Sequence, residues 1–437
     1  MALQEPHLCI TSPWNYPLFN SSCNSHFGGW EVRIALIARE LAKRGNFRVS
    51  MVVGDHGQSH IEQCDGVTLY SWIGREIWGI PSPQRSIDTQ QKFAPSIMSS
   101  SRMVRFLRKA INRRERTLEP LHGYVDNYCI TPGMLSVYDE VNAEIYMVPG
   151  NSQFSGEAAY YALKRGKKFV FLSGSDMDYY PEYKTEKDKL DIYSVPHALK
   201  CFAIESAAAH IVQNDCQAEM VRKGYKRDCT VIPNPIDLNC RFQRSTSPRT
   251  ILWVGKSDER VKRPSLILEL ASQLRQFEFV IVMNPGLPET HQECLAKARH
   301  LPNVKLLERV PFATIESYFA AARLHLNTSF FEGFPNTFLQ AAKYGVPTVS
   351  LQVDPGGMLS RHNCGRTCGG DLNKFREDVC DLMENEVLCE ILGAQALQYV
   401  RQFHDKDIII QKYEGVLLSV LPKSQRSHVS NWAMPTA

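Results

Sequence analysis

Short apolar runs alternate with longer segments of helical period along most of the chain. Leu8 to Thr11 is a compact apolar run, Trp30 to Lys43 has the apolar spacing of an amphipathic helix, and Val49 to Val53 is apolar again. This predicts strand, helix, strand. Ile145 to Val148, Phe169 to Leu172 and Ile211 to Gln213 predict further strands, with helices such as Glu157 to Lys164 between them. A parallel sheet with helical crossovers follows.

Val231-Ile232-Pro233-Asn234-Pro235-Ile236-Asp237 interrupts the alternation with two prolines, and a polar segment from Asn239 to Arg249 leads into the next strand. From Thr250 the pattern restarts. Strands are predicted at Ile251 to Val254, Phe279 to Met283, Val304 to Leu307, Leu324 to Asn327 and Thr348 to Leu351, and helices at Ser265 to Leu274 and Ile315 to Ala322. The expected architecture is α/β, with two doubly wound domains facing each other: residues 1–238, residues 239–403, and a tail 404–437 that opens with a helix at Ile408 to Leu421. Sheets of this kind bind ligands beyond the carboxyl ends of their strands, which puts the expected site in a cleft between the domains.

Length and composition agree with that plan. The 437 residues suffice for two cores. Hydrophobic residues at 43% and charged residues at 22% are ordinary for a chain that folds throughout. A net charge of +4 is too mild for a protein whose main partner is nucleic acid. The 13 cysteines are scattered and odd in number, and the first residues lead directly into a strand, so reduced thiols and a cytoplasmic setting are expected. His362, Cys364 and Cys368, with Cys380 and Cys389 downstream, do not have the spacing of a zinc finger or ribbon. No metal and no cofactor are expected. The strongest apolar segments, such as Phe277 to Met283, have strand length and do not reach the roughly 18 residues of a membrane span. Asn20-Ser21-Ser22 and Asn327-Thr328-Ser329 are formal glycosylation sequons, with no meaning unless the chain is exported.

The most informative stretch is Phe330-Phe331-Glu332-Gly333-Phe334-Pro335-Asn336-Thr337-Phe338-Leu339-Gln340-Ala341-Ala342-Lys343-Tyr344-Gly345-Val346-Pro347. Pro335 suits the start of a helix, and Gly345 with Pro347 supplies its exit. The unpaired N–H groups and positive dipole end at such a start make a site for phosphate oxygens, with Glu332 beside it. On pattern alone, an ordinary strand-to-helix turn explains the stretch about as well.

The run from Glu332 to Ala341 resembles the donor-sugar signature of retaining GT-B glycosyltransferases of family 4, which bind a nucleotide sugar between two domains. That motif holds two glutamates eight positions apart. The resemblance implies that Glu332 hydrogen-bonds hexose hydroxyls, and that the backbone of Gly333, Phe334, Pro335, Asn336 and Thr337 borders the phosphates. It puts Gln340 where the second, ribose-binding glutamate belongs. An amide keeps hydrogen bonding there and loses the charge-assisted part.

Other places match the same family. Ser25-His26-Phe27-Gly28-Gly29-Trp30-Glu31 sets Gly28 and Gly29 at a helix start, where the family has a Gly-Gly near the donor phosphates. Val254-Gly255-Lys256-Ser257 is not a P-loop, because Thr250 stands where its first glycine is required. The family instead has Gly-Arg after this strand and a lysine several residues later, both on the departing diphosphate. Those places match Lys256 and Lys262, with the bidentate arginine replaced by a point charge. Ser173-Gly174-Ser175-Asp176-Met177-Asp178 has an Asp-x-Asp spacing that can hold a metal in a different glycosyltransferase architecture. Here a polar loop with Ser173 and Asp176 on the acceptor side fits better, although the histidine that many relatives carry near this place is missing. Residues 102–116 form a basic amphipathic pattern that suits a core-packed helix with a solvated basic side, or peripheral contact with the cytoplasmic membrane face.

The resemblance thus implies a metal-independent retaining hexosyltransferase whose residues 1–238 bind the acceptor and 239–403 the nucleotide sugar, with the helix in 404–437 crossing back to the first domain. Glu332, Lys256 and Lys262 would be its catalytic residues. Its donor would be a UDP- or GDP-linked sugar and its acceptor a glycan, lipid or small molecule, in polysaccharide or glycoconjugate synthesis. Two alternatives stay open: another GT-B activity, such as a sugar-nucleotide epimerase or phosphorylase, and a catalytically weak sugar-nucleotide-binding scaffold.

Overall fold

The computed structural model describes residues 5–23, 25, 27–72, 130–131, 133–191 and 193–423; the basic segment 102–116 lies outside them. The chain divides into two compact units. One comprises the residues up to Ile232 with those from Ile410 onward, and the other is Pro233–Ile409.

The first unit is built on strands β1 (His7–Thr11), β2 (Arg48–Gly54), β3 (Ile61–Cys64), β4 (Val67–Trp72), β5 (Ile145–Pro149), β6 (Lys168–Leu172), β7 (Ala209–Val212) and β8 (Thr230–Val231). They form one sheet in the order β3-β4-β2-β1-β5-β6-β7-β8. Every pairing is parallel except β3 with β4. Those two form a hairpin whose turn residues, Asp65 and Gly66, both have positive φ, as a two-residue turn between twisted strands requires. Helices Gly29–Arg44, Gln153–Lys164 and His197–Ser206 carry the crossovers. A buried cluster of Tyr138, Tyr146 and Tyr161, with ring centroids 5.1 to 5.3 Å apart, fills the space above β1 and β5.

From Ile410 onward the helix Lys406–Ser419 belongs to the first unit. Polar contacts fix its first-unit part. The guanidinium of buried Arg33 donates to the Ser173 carbonyl at 2.9 Å and to the Tyr413 hydroxyl at 2.8 Å. Glu414 accepts from Arg44 at 3.2 Å and from the Asn46 amide at 2.8 Å.

In the second unit β9 (Thr250–Lys256), β10 (Glu278–Asn284), β11 (Val304–Leu307), β12 (Ala322–Asn327), β13 (Thr348–Ser350) and β14 (Gly365–Thr367) form an all-parallel sheet in the order β11-β10-β9-β12-β13-β14. Both faces are covered, which is why its strands read as continuous apolar runs. Ile251, Trp253, Ile281 and Leu324 pack with Ile267, Phe375 and Val379 on one side. Leu252, Val282 and Phe319 pack with Ala341 and Tyr344 on the other. Helices Leu372–Glu384 and Glu386–Phe403 complete the unit. A Cβ on Gly393 would lie 2.1 Å from the Gly345 carbonyl oxygen, so the second of these helices packs directly on the turn that closes the helix Asn336–Lys343.

His325 of β12 is fully buried between the rings of Phe319 and Phe338, with Nδ1 3.0 Å from the Thr348 hydroxyl. Burial pushes its pKa down from 6.5 to about 3. The unfolded chain therefore binds a proton that the folded state refuses. The stability this contributes is complete above about pH 6.5 and declines as pH falls toward 3. We predict that His325→Asn flattens the pH dependence of urea unfolding below pH 6.5, by up to about 1.4 kcal/mol per pH unit. Parallel wild-type and variant profiles would show that His325 is not the group responsible.

Candidate active site

In the second sheet the chain leaves β9 toward β10 and β11 and then returns to place β12 on β9's other side. The loops after β9 and β12 therefore diverge at the carboxyl end, where a doubly wound sheet opens a crevice. Lys256 is the last residue of β9, and Glu332 follows β12 closely.

Buried hydroxyls and main-chain bonds stitch the two loops together. Thr328 donates its hydroxyl to the Lys262 carbonyl at 2.6 Å and accepts from the Trp253 indole at 2.9 Å. The Phe330 amide donates to the Val261 carbonyl at 2.8 Å. Arg263, whose backbone is left-handed at φ +50, donates to the carbonyls of Thr328 at 2.7 Å and Ser329 at 3.1 Å. This stitching delivers the Lys262 ammonium onto Oε1 of Glu332 as an ion pair. The Ser329 hydroxyl donates to the same oxygen at 2.7 Å. The lysine side chain is 28% exposed and the glutamate 15%, so the pair is sheltered yet open to a ligand.

Lys256 is exposed, and its loop is held from below. The buried Ser257 hydroxyl accepts from the Gly286 amide at 2.7 Å and lies 3.0 Å from His291 Nδ1, while His291 Nε2 is 3.0 Å from Glu308. Despite its Ser-His-Glu composition, this group has its serine fully buried and serves to anchor the loops after β9 and β10.

The helix Asn336–Lys343 starts one residue after Pro335, which is its cap with extended backbone (φ −66°, ψ 124°), and leaves through Gly345 at φ +62. Phe334 is buried with its ring 4.7 Å from that of His404. The Asn234 amide donates to the Phe334 carbonyl at 3.1 Å and to the Asn336 side chain at 3.2 Å. Gly333, Thr337 and Gln340 are half-buried, with Gln340 one turn beyond Asn336. Lys256, Lys262, Glu332 and the helix start thus share one end of one sheet.

The remaining predicted residues belong to the first unit. Gly28 caps the helix Gly29–Arg44, and its amide donates to the Glu31 carboxylate at 2.6 Å. The Trp30 indole packs so closely on the loops after β5 and β6 that a Cβ on Gly150 would come within 2.6 Å of its ring and one on Gly174 within 1.1 Å. Ser173 is buried, with its hydroxyl 3.4 Å from Asp178. Asp178 accepts from the backbone amides of Gly174 at 2.7 Å, Ser175 at 3.0 Å and Asn151 at 2.9 Å. Burial raises its pKa against those bonds. Asp176 is half-buried and accepts from Gln217 at 2.9 Å. The Asp-x-Asp pair is therefore divided between a buried loop organiser and a partly open side chain. Among the described residues no three His, Cys, Asp or Glu side chains gather as a set able to hold a metal ion. Cys368 is buried against Asp378, and Cys364 against the His362 carbonyl.

Sequence reasoning missed Ser329, Thr328, Arg263 and Trp30. Asn327-Thr328-Ser329 showed only as a strand end and a sequon, yet all three are buried at the root of the Glu332 loop.

The fold is GT-B, that of a class of glycosyltransferases. Residues 248–385, which hold Lys256, Lys262 and the whole Glu332 stretch, match the family described as Glycosyl transferases group 1. Comparison with curated proteins returns no significant match. Among solved structures the chain is similar to a sucrose-phosphate synthase from Thermosynechococcus elongatus (TM-score 0.69, 13% identity, covering 95% of this chain and 99% of that one). It is also similar to Anabaena HepE in complex with UDP and glucose (TM-score 0.61, 15% identity, 95% and 100%). A third is the lipopolysaccharide outer core galactosyltransferase WaaB (TM-score 0.55, 16% identity, 95% and 100%). At these identities the likeness establishes the fold.

The Trp30 contact generates a prediction. Gly174→Ala destabilises the protein by about 2–3 kcal/mol through overpacking, and the loss shrinks when Trp30→Ala is already present. Equal losses in both backgrounds, measured by urea unfolding, would show that the indole does not set the requirement for glycine.

Proposed function

We propose that the protein is a metal-independent retaining glycosyltransferase that moves a hexose-type sugar from a nucleotide-diphosphate sugar to an acceptor hydroxyl in polysaccharide or glycoconjugate synthesis. The observation that carries this reading is the meeting of Lys262 and Glu332 at the switch point of the second sheet. The family match over the same residues supports it.

On this reading the diphosphate lies at the start of the helix Asn336–Lys343, where backbone N–H groups and the helix dipole favour an anion. Lys256 and Lys262 stabilise the charge that grows on the leaving diphosphate, and fixed charges of this kind are the largest contribution to catalysis of group transfer. Glu332 accepts hydrogen bonds from hydroxyls of the sugar, and Gln340 hydrogen-bonds the ribose. The acceptor hydroxyl attacks on the face the diphosphate leaves, and a leaving phosphate oxygen takes its proton. The C–O bond to the diphosphate breaks as the C–O bond to the acceptor forms, and the charges balance without a protein base. UDP is the first nucleotide to test, since UDP is bound in the HepE structure.

Calorimetric titration in EDTA with UDP, GDP and their hexose conjugates tests the donor site. The expected result is binding of one nucleotide, tightened by its sugar in the wild type and not in Glu332→Ala. Lys262→Met is expected to weaken nucleotide binding about tenfold or more, as the loss of a charge-assisted phosphate contact. No binding by the wild type would remove the donor-site assignment. Binding with donor hydrolysis or transfer would exclude the scaffold alternative.

A further inference from the structure

We propose that Ser329, oriented by Asn327, is a positioning residue that reserves one oxygen of Glu332 for the sugar of the donor. The inference rests on the reading of Glu332 given above. Asn327 ends β12 and is buried, and Ser329 beyond it is 1% exposed. The Ser329 amide donates to Asn327 Oδ1 at 3.1 Å, and the Asn327 amide group donates to Ser329 Oγ at 3.3 Å. The Ser350 hydroxyl, on the neighbouring strand β13, approaches Asn327 Oδ1 at 3.5 Å. This grip settles the direction of the serine hydroxyl. Its oxygen accepts from Asn327, and its single proton goes to Glu332 Oε1.

Oε1 also carries the Lys262 ammonium, whereas Oε2 has no protein partner among the described residues. Oε2 is therefore the oxygen presented to an incoming hydroxyl. The two contacts to Oε1 differ in permanence. A diphosphate, with more negative charge than one carboxylate, draws a flexible lysine toward itself. A buried serine just beyond a strand end, held by Asn327, cannot follow. Once the lysine has moved, Ser329 alone keeps the carboxylate from turning, so it acts when the donor is bound.

The test is calorimetric titration of the full chain with UDP and UDP-glucose, and with GDP and GDP-mannose, for wild type, Ser329→Ala, Ser329→Thr, Glu332→Ala and Ser329→Ala/Glu332→Ala. Thermal melts accompany each titration. Ser329→Ala is expected to leave affinity for the bare nucleotide unchanged and to cut the gain from the sugar about tenfold, the usual effect of losing a hydrogen bond to a charged group. Ser329→Thr, which keeps the hydroxyl, is expected to restore the gain. The double variant should bind no more weakly than Glu332→Ala alone, because the serine acts only through the glutamate.

A wild type whose affinity shows no sugar-dependent gain, or a gain that survives Glu332→Ala, overturns the donor-site reading and this inference with it. A wild-type gain that requires Glu332 and survives Ser329→Ala overturns the inference alone. Equal loss for nucleotide and sugar conjugate, or additive losses in the double variant, would show a merely structural serine and also overturn it.

Discussion

A reversal of strand order in the parallel sheet of the second unit holds a carboxylate and an ammonium group against each other at its carboxyl end. The Lys262–Glu332 pair exists only because the loops after β9 and β12 are stitched together through Thr328, Arg263 and the main chain of Val261 and Phe330. Those loops meet because the order of strands reverses between β9 and β12. The helix Asn336–Lys343 then begins within the same loop, so its unpaired N–H groups and the Glu332 carboxylate belong to one loop. Removing the sheet's reversal would separate all of them.

The first unit solves a related problem with aromatic and buried polar groups. Trp30 follows Gly28-Gly29 directly and packs on Gly150 and Gly174, so the end of one loop and the starts of two others, after β5 and β6, meet at one indole. Asp178 gathers the amides of two of those loops. Arg33 links the Ser173 carbonyl to Tyr413, which ties the loop after β6 to the returning C-terminal helix. A buried aspartate and a buried arginine are tolerated because each meets several hydrogen-bond partners.

Much of this architecture is legible in the sequence. Strands buried on both faces announce themselves as apolar runs, and β1, β2, β5, β6, β9, β10 and β12 lie within a few residues of where the pattern puts them, as do the edge strand β11 and the short β13. Other short or edge elements do not. The β3–β4 hairpin and the three-residue β14 were not anticipated, although Asp65-Gly66 is a recognisable turn pair. Glu332 stands out as a carboxylate beside a predicted helix start, whereas Lys256 and Lys262 are picked out by the family resemblance. The direct pairing of Lys262 with Glu332, 70 positions apart, depends on strand order and cannot be read from local spacing. Ser329 and Asn327 escape notice for a different reason, since small polar residues at and just after a strand end carry no signal of their own and only burial gives them a role.

The account's central claim is that Lys262 and Glu332 part to admit a nucleotide sugar, the lysine to the diphosphate and the glutamate to the sugar. A crystal structure of the protein with the nucleotide sugar identified by titration tests this most directly. The account predicts Lys262 Nζ on a phosphate oxygen, the diphosphate at the start of the helix Asn336–Lys343, and Glu332 Oε2 on a sugar hydroxyl with Ser329 still on Oε1. A bound nucleotide sugar that leaves the Lys262–Glu332 pair intact, or one seated away from that helix start, would contradict it.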